Sequence, residues 1–253
     1  MLYDQLFVSM ERARWNLSRD IDLDAIEPAA LTPEWILQVH EVCRDQLAAL
    51  GATEMFLDGF RTDIDFCSFV SVWFYEEMEH HLVLRKYLEH LGEAVEELAP
   101  PRVPAGSGDA PAIDALTLRF LGEQRLAQRY AALAASVPEP VLGRIFTTLA
   151  AGEARHAAAY ATYLRRAVTR QPAELPGVLR LVLWRLRGGD EAAPAVAADG
   201  GSGGSAAPPR EDRHFIRRMQ VLCRLLAPDS TPVSTLVAEE ELPGLRPAAA
   251  GVL

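Results

Sequence analysis

Two short stretches decide the fold, Glu77-Met78-Glu79-His80 in one half of the chain and Glu153-Ala154-Arg155-His156 in the other. Each stretch places a Glu and a His three residues apart, so on a helix the carboxylate and the imidazole lie on the same face. Apolar residues at helical spacing flank both pairs, which places the pairs on the buried side of their helices. An unpaired carboxylate is costly to bury. We therefore expect a cation to hold the two pairs together.

The sequence around these stretches predicts four long amphipathic helices. Apolar residues recur in them with the 3.6-residue period of a helix, and prolines and glycines separate them. The predicted helices are residues 32–58, 63–92, 112–136 and 141–169. No segment of the sequence shows the alternation that is typical of a half-buried strand. The sequence therefore predicts an all-α fold, a four-helix bundle with additional C-terminal helices.

The predicted domain organisation follows the changes in composition along the chain. A segment of 22 residues, 188–209, is dominated by Gly, Ala and Pro, and such a segment is typical of a flexible linker. The predicted units are an N-terminal lead-in at 1–30, the bundle at 31–170, an accessory helix at 171–187, the linker at 188–210, and a C-terminal amphipathic helix and tail at 211–253.

Composition and charge exclude several classes of protein. The net charge of −10 argues against nucleic acid as a partner. No apolar stretch approaches the ~18 residues of a transmembrane helix, and the first residues lack the pattern of a signal peptide. Three widely spaced cysteines indicate a reducing compartment. We therefore expect a cytoplasmic protein without a membrane span, and the arginines of 165–187 and 210–224 are a candidate docking surface for an acidic carrier.

A further carboxylate accompanies each Glu-x-x-His pair. Glu123 lies in phase on the third predicted helix, 30 residues before Glu153. If the chain is a doubled helix hairpin, the first helix should supply an acid at a similar distance before Glu77. Asp45 lies 32 residues before Glu77 and Glu41 lies 36 residues before it, and this spacing leaves both open as the first-helix acid.

Four carboxylates and two histidines that converge in a bundle core predict a dinuclear, carboxylate-bridged metal site. An oxygen-rich ligand set with one imidazole per metal favours iron or manganese over zinc. The alternative is a set of buried salt bridges, which the repeated spacing makes less favourable. His81 follows His80 and points about 100° away on a helix, so it is interpreted as lying beside the ligands or at the surface, and Tyr160 as a core aromatic near the site.

These residues resemble a known family. The segment Trp73–His80, with Leu84, Tyr87 and Leu88 after it, resembles the second ligand helix of the ferritin-like di-iron proteins, especially the soluble acyl-carrier-protein desaturases. Glu153–Tyr160 resembles their fourth helix and Glu123–Arg125 their third. Leu57–Gly59 resembles the end of their first ligand helix, and counting back from it favours Asp45 as the first-helix ligand. The resemblance covers roughly residues 30–165.

The resemblance implies a ferritin-like, O2-dependent di-iron oxidoreductase that acts on a hydrophobic substrate, for which an acyl group on an acyl carrier protein is the candidate. It implies an electron donor such as a ferredoxin and leaves a homodimer as a candidate assembly. Manganese, alone or mixed with iron, is an alternative to two irons. The implied metal ligands are Asp45, Glu77, His80, Glu123, Glu153 and His156. Glu76, His81 and Tyr160 are the candidates for residues that support these ligands.

Departures from the desaturase pattern keep other functions open. Gly152 stands where the desaturases carry an acidic residue, whereas Glu76 retains the counterpart in the other half, and Leu126 replaces a threonine. Since surrounding groups tune a metal site, the resemblance allows hydroxylation or N-oxygenation as well as desaturation. Two alternatives from other classes are a ferroxidase or iron-binding protein without an organic substrate, and a helical interaction module that has lost its metal.

Overall fold

The computed structural model of the chain describes residues 1–95 and 112–186. Within these ranges the protein consists of α-helices and short 3-10 turns and contains no strand. None of the helices in these ranges is both long and apolar enough to cross a lipid bilayer. The predicted linker at 188–210 and the predicted C-terminal helix and tail at 211–253 lie outside the described residues.

Eight α-helices follow one another along the described chain. They are α1 (Leu2–Ala13), α2 (Leu17–Asp20), α3 (Pro33–Asp45), α4 (Ala48–Gly59), α5 (Ile64–His90), α6 (Ala112–Ser136), α7 (Pro140–Arg170) and α8 (Leu175–Leu186). The 3-10 turns are Leu23–Ala25, Pro28–Ala30 and Pro172–Glu174. Side chains fix several helix starts: Asp63 accepts a hydrogen bond from the backbone N–H of Phe66 before α5, and Glu139 accepts from Val141 and Leu142 before α7.

The structure divides the predicted first helix of the bundle into α3 and α4. Between them the hydrogen bonds tighten to a 3-10 pattern, because the N–H of Leu47 bonds to the carbonyl of Arg44 and the N–H of Ala49 bonds to that of Gln46. The side chain of Gln46 is buried at this break and donates a hydrogen bond to the hydroxyl of Tyr130 on α6. The uninterrupted helix predicted over 32–58 was therefore wrong in its middle, and the phase of its side chains changes there.

Two apolar clusters fill the bundle, one toward each end. The first cluster combines Ala49 and Phe56 of α4 with Phe66–Trp73 of α5, Ile113–Leu121 of α6 and Ala157–Val168 of α7. The second combines Val39–Cys43 of α3 with Val83–Leu88 of α5, Tyr130 of α6 and Val141–Leu149 of α7. Each long helix thus passes from one cluster to the other. The residues of each helix that lie between the two clusters mark a polar layer across the middle of the bundle.

Candidate metal centre

The polar layer contains the buried charged residues that the sequence singled out. On α5 it holds Glu76, Glu77 and His80; on α6 it holds Glu123; and on α7 it holds Glu153 and His156. Burial is complete or nearly so, since Glu76 and Glu77 expose 3% and 2% of their surface and the other four residues expose none. Three helices therefore direct four carboxylates and two imidazoles into one water-excluded volume.

Four of these side chains converge on a single point. Glu77, Glu123, Glu153 and His156 each offer one ligand atom, and all four atoms lie within 4.8 Å of one another. Nδ1 of His156 lies 3.0 Å from Oε1 of Glu77, 3.5 Å from Oε2 of Glu153 and 3.8 Å from Oε2 of Glu123. Carboxylate oxygens with an imidazole nitrogen form a donor set that suits iron or manganese. The sequence predicted that these residues would converge, and the structure brings them together.

His80 borders this group on the side of Glu153. Its Nδ1 lies 3.3 Å from Oε1 of Glu153, and its ring centroid lies 5.8 Å from that of His156. Although Nδ1 and Oε1 are close, their orientation does not make a hydrogen bond: both nitrogens of His80 and both carboxylate oxygens of Glu153 lack a hydrogen-bond partner among the described residues. Buried polar atoms are rarely left unsatisfied. These four atoms therefore fit a bound metal ion, which would satisfy them.

The ring of His156 is oriented by Glu76. Nε2 of His156 lies 2.7 Å from Oε2 of Glu76, so the other ring nitrogen, Nδ1, faces the cluster. A carboxylate behind a histidine is a common arrangement at metal sites, because it fixes the ring and makes the ligand nitrogen more basic. Burial alone would raise the pKa of Glu76, but the hydrogen bond with His156 and the charge of Arg155 hold that pKa below its ordinary value.

Glu123 is held from behind in a comparable way. Its Oε1 accepts hydrogen bonds from Nε of Arg119 at 2.6 Å and from the indole N–H of Trp73 at 3.0 Å. The guanidinium of Arg119 stacks over the ring of Trp73 at 4.5 Å. Its other oxygen, Oε2, is directed at the cluster and has no hydrogen-bond partner among the described residues. Sequence reasoning missed Arg119 and treated Trp73 as a core residue, although the i, i+4 spacing of Arg119 and Glu123 was a usable signal.

The crowding of carboxylates changes their acidity in the metal-free protein. Burial and the neighbouring charge of Glu123 raise the pKa of Glu153 to about 8, and burial with the charges of Glu153 and Glu123 raises the pKa of Glu77. Burial lowers the pKa of His80. Burial opposes a proton on His156, but the surrounding carboxylates outweigh it and raise that pKa well above its ordinary value. The cluster thus takes up protons when no metal neutralises it.

Neither candidate acid of the first helix reaches the cluster. Asp45 is part-exposed at the end of α3, and its Oδ2 accepts a hydrogen bond from Nη1 of Arg129 at 3.1 Å. Glu41 is exposed and accepts from the side chain of Gln38. The predicted role of Asp45 as a metal ligand is therefore corrected: because the side chain turns toward Arg129, it lies outside the group of ligand atoms. The buried polar side chain of this helix at the level of the cluster is Gln46.

The remaining predicted residues lie around the centre. Nδ1 of His81 is 2.9 Å from the backbone carbonyl of Cys43, so this side chain links α5 to α3 and does not join the ligand atoms. Tyr160 is fully buried and packs against Phe56, Phe69 and Trp73. Burial raises the pKa of Tyr160 well above its ordinary value, with the charge of Arg119 opposing the shift. Tyr160 thus belongs to the aromatic wall that covers one side of the centre.

Comparison with solved structures shows the same fold in a known oxidase. The chain is similar to the R2-like ligand-binding oxidase from Sulfolobus acidocaldarius, with a TM-score of 0.62 over 90% of this chain and 92% of that chain. The sequences are 12% identical, so the likeness shows the fold alone. No protein-family model matches the chain, and no curated protein matches its sequence. The predicted all-α, ferritin-like bundle is confirmed, whereas the closer resemblance to acyl-carrier-protein desaturases stays a prediction.

Proposed function

We propose that this chain is a di-metal oxidoreductase that uses O2 to oxidise a hydrophobic organic substrate. Two iron ions would occupy the centre, with manganese as the alternative in one or both positions. Glu77 and Glu153 would lie between the two metals, Glu123 and His156 would bind one of them, and His80 would bind the other. Asp45 is left out of this ligand set because Arg129 holds its carboxylate elsewhere.

One observation carries the proposal: four ligand atoms from three helices lie within 4.8 Å of one another inside a fully buried layer. A set of internal salt bridges would explain these residues less well. Arg119 and a protonated His156 compensate part of the negative charge, yet both oxygens of Glu153 and both nitrogens of His80 keep no hydrogen-bond partner in the described structure. A buried carboxylate that is neither paired nor hydrogen-bonded is strongly disfavoured. Divalent cations satisfy these atoms directly.

The residues of the chain have distinct parts in this proposal. Reduced metal ions would supply electrons to O2, and the protein would set their ligands and surroundings. Glu76 holds the ring of His156, while Trp73 and Arg119 hold one oxygen of Glu123, so both ligands are fixed before metal binds. The aromatic side chains beside Tyr160 exclude water from one side of the centre. Exclusion of water protects a reactive oxidant from side reactions.

The substrate class and partners rest on the sequence resemblance together with this apolar wall. We propose an acyl group on an acidic acyl carrier protein as the substrate and a ferredoxin as the electron donor, in the cytoplasm. Hydroxylation would place one atom of O2 in a C–H bond and reduce the other to water with two electrons and two protons. Desaturation would remove two hydrogen atoms and reduce both oxygen atoms to water with the same external supply. Both reactions need the donor, and both suit a site that excludes water.

The test is anaerobic loading of the full chain with Fe(II), followed by exposure to O2 and Mössbauer spectroscopy. We expect a coupled diferric spectrum from the wild type and its loss in Glu77→Gln. The matched control is Glu41→Gln, which changes an exposed acid outside the cluster and should leave the spectrum unchanged. Less than one iron per chain in the wild type, with the same value in Glu77→Gln, would overturn the proposal. Steady oxidation of added Fe(II) without any organic oxidation would favour a ferroxidase instead.

A further inference from the structure

The two halves of the centre repeat one pattern but are not equal. Each half contributes a Glu-x-x-His pair, Glu77 with His80 from α5 and Glu153 with His156 from α7. If the halves were equivalent, each histidine would have a carboxylate behind it and a carboxylate from a neighbouring helix beside it. The half that contains His156 has both, through Glu76 and Glu123.

The half that contains His80 lacks the carboxylate behind the histidine. The residue before Glu77 is Glu76, which orients His156, whereas the residue before Glu153 is Gly152. The ring of His80 lies so close to this glycine that an added Cβ would stand 2.7 Å from Nε2 and 2.9 Å from Cε1. The glycine therefore makes room for the ring but offers no side chain to orient it. Neither nitrogen of His80 has a hydrogen-bond partner among the described residues.

The same half also lacks the carboxylate from the neighbouring helix. On α6, Glu123 lies between the two apolar clusters; on the first helix, the buried polar residue between the same clusters is Gln46. Its Nε2 donates to the hydroxyl of Tyr130, and its Oε1 is buried without a hydrogen-bond partner in the described structure. The charges of Glu153 and Glu77 act on Tyr130, which places this pair close to the cluster. A neutral amide oxygen thus stands where the repeat calls for a carboxylate.

We infer that the two metal positions have unequal affinity, and this inference rests on the proposed function of the same site. The position at Glu123 and His156 binds its ion tightly, because both ligands are fixed by hydrogen bonds and one carries a full charge. The position at His80 binds weakly, with the amide oxygen of Gln46 as a neutral donor and an imidazole that no carboxylate orients. Loss of such orienting partners typically lowers metal affinity by about 10–100-fold. The metals are therefore expected to bind in sequence.

The experiment is an anaerobic Mn(II) titration of the full chain, followed by calorimetry and electron paramagnetic resonance. We expect one ion to bind first as an isolated Mn(II), and a second to bind at a concentration at least about 10-fold higher with the appearance of an exchange-coupled signal. Gln46→Glu should tighten the second step by about 10-fold or more and leave the first unchanged. Gln38→Glu is the matched control, since it adds the same charge to α3 at a residue that bonds only to exposed Glu41.

Two histidine variants decide the result even if Gln46→Glu fails to fold. His80→Ala should abolish the second step and keep the first, whereas His156→Ala should abolish the first. Two ions of equal affinity in the wild type, or loss of the first step in His80→Ala, would overturn the inference while leaving a di-metal centre in place. Absence of any Mn(II) or Fe(II) binding would overturn the proposed function itself, and the inference with it.

Discussion

Two groups of acidic residues in this protein are neutralised in different ways. At one end of the bundle, Arg166 forms ion pairs with both Asp63 and Asp65, at 2.5 Å in the pair with Asp65. The backbone N–H of Tyr3 also donates to Asp65. In the middle of the bundle, both oxygens of Glu153 lack a hydrogen-bond partner among the described residues. The first group is complete without a ligand, and the second group fits an added cation.

The difference shows which acidic clusters point to a metal. Where an arginine from a neighbouring helix matches the carboxylates, charge and hydrogen bonds are satisfied by the chain itself, and such a site stabilises the fold. Where carboxylates outnumber the nearby cations and their oxygens face one another, the pKa values of some of them rise. The central cluster has this second character. The following predictions test the distinction.

The largest effect is expected at Glu153 itself. Glu153→Gln should lower metal affinity by more than about 100-fold, beyond the range typical of supporting residues, because it removes the negative charge between the two metal positions. Metal content after anaerobic reconstitution measures this. Asp65→Ala should retain full metal content, so equal losses in the two variants would contradict the distinction between the two groups.

A smaller loss is expected when a residue that orients a ligand is changed. Glu76→Gln should weaken binding of the first metal ion by about 10–100-fold, since the amide holds the ring of His156 less firmly than the carboxylate does. Trp73→Phe should act in the same direction by removing a donor to Glu123. Calorimetric titration with Mn(II) gives the affinities. Glu89→Gln, which alters an exposed acid that pairs with Lys86 on the same helix, serves as the control.

At the end of the bundle the effect should appear in stability and not in metal binding. Asp65→Ala should lower the free energy of unfolding by about 1.5 kcal/mol, the scale of a charged hydrogen bond, because it removes the acceptor for Arg166 and for the N–H of Tyr3. Urea unfolding of the metal-free protein would measure the change. A variant as stable as the wild type would show that this ion pair contributes nothing measurable.

The smallest effect is a dependence of stability on pH in the metal-free protein. The folded-state pKa of Glu153, raised to about 8, lies above its unfolded value, so the folded protein holds an extra proton that it loses as pH rises. The raised pKa of His156 acts in the same direction, and the lowered pKa of His80 opposes both. The midpoint of thermal unfolding should therefore fall by a few degrees between about pH 6 and about pH 8. The metal-loaded protein should show a smaller fall, and so should the metal-free Glu153→Gln variant.

Much of the centre could be predicted because its residues lie on uninterrupted helices. The i, i+3 spacing fixes the relative direction of Glu77 and His80, and of Glu153 and His156, whatever the rest of the chain does. The in-phase position of Glu123 on a continuous helix gave its depth in the same way. The first helix is different, since its hydrogen bonding changes at Gln46 and Leu47. Counting along the sequence chose Asp45, whereas the break turns the next residue, Gln46, into the interior.

The sequence by itself determined an all-helical bundle and the two Glu-x-x-His pairs that meet inside it, because helical periodicity is a local property that spacing alone reveals. Only the tertiary structure decided which groups surround those pairs. Arg119 and Trp73 hold Glu123, Glu76 on α5 orients His156 on α7, and Gly152 leaves room for His80. These contacts join residues on different helices or depend on ring orientation, and their geometry is set by how the helices pack, which no spacing along one helix encodes.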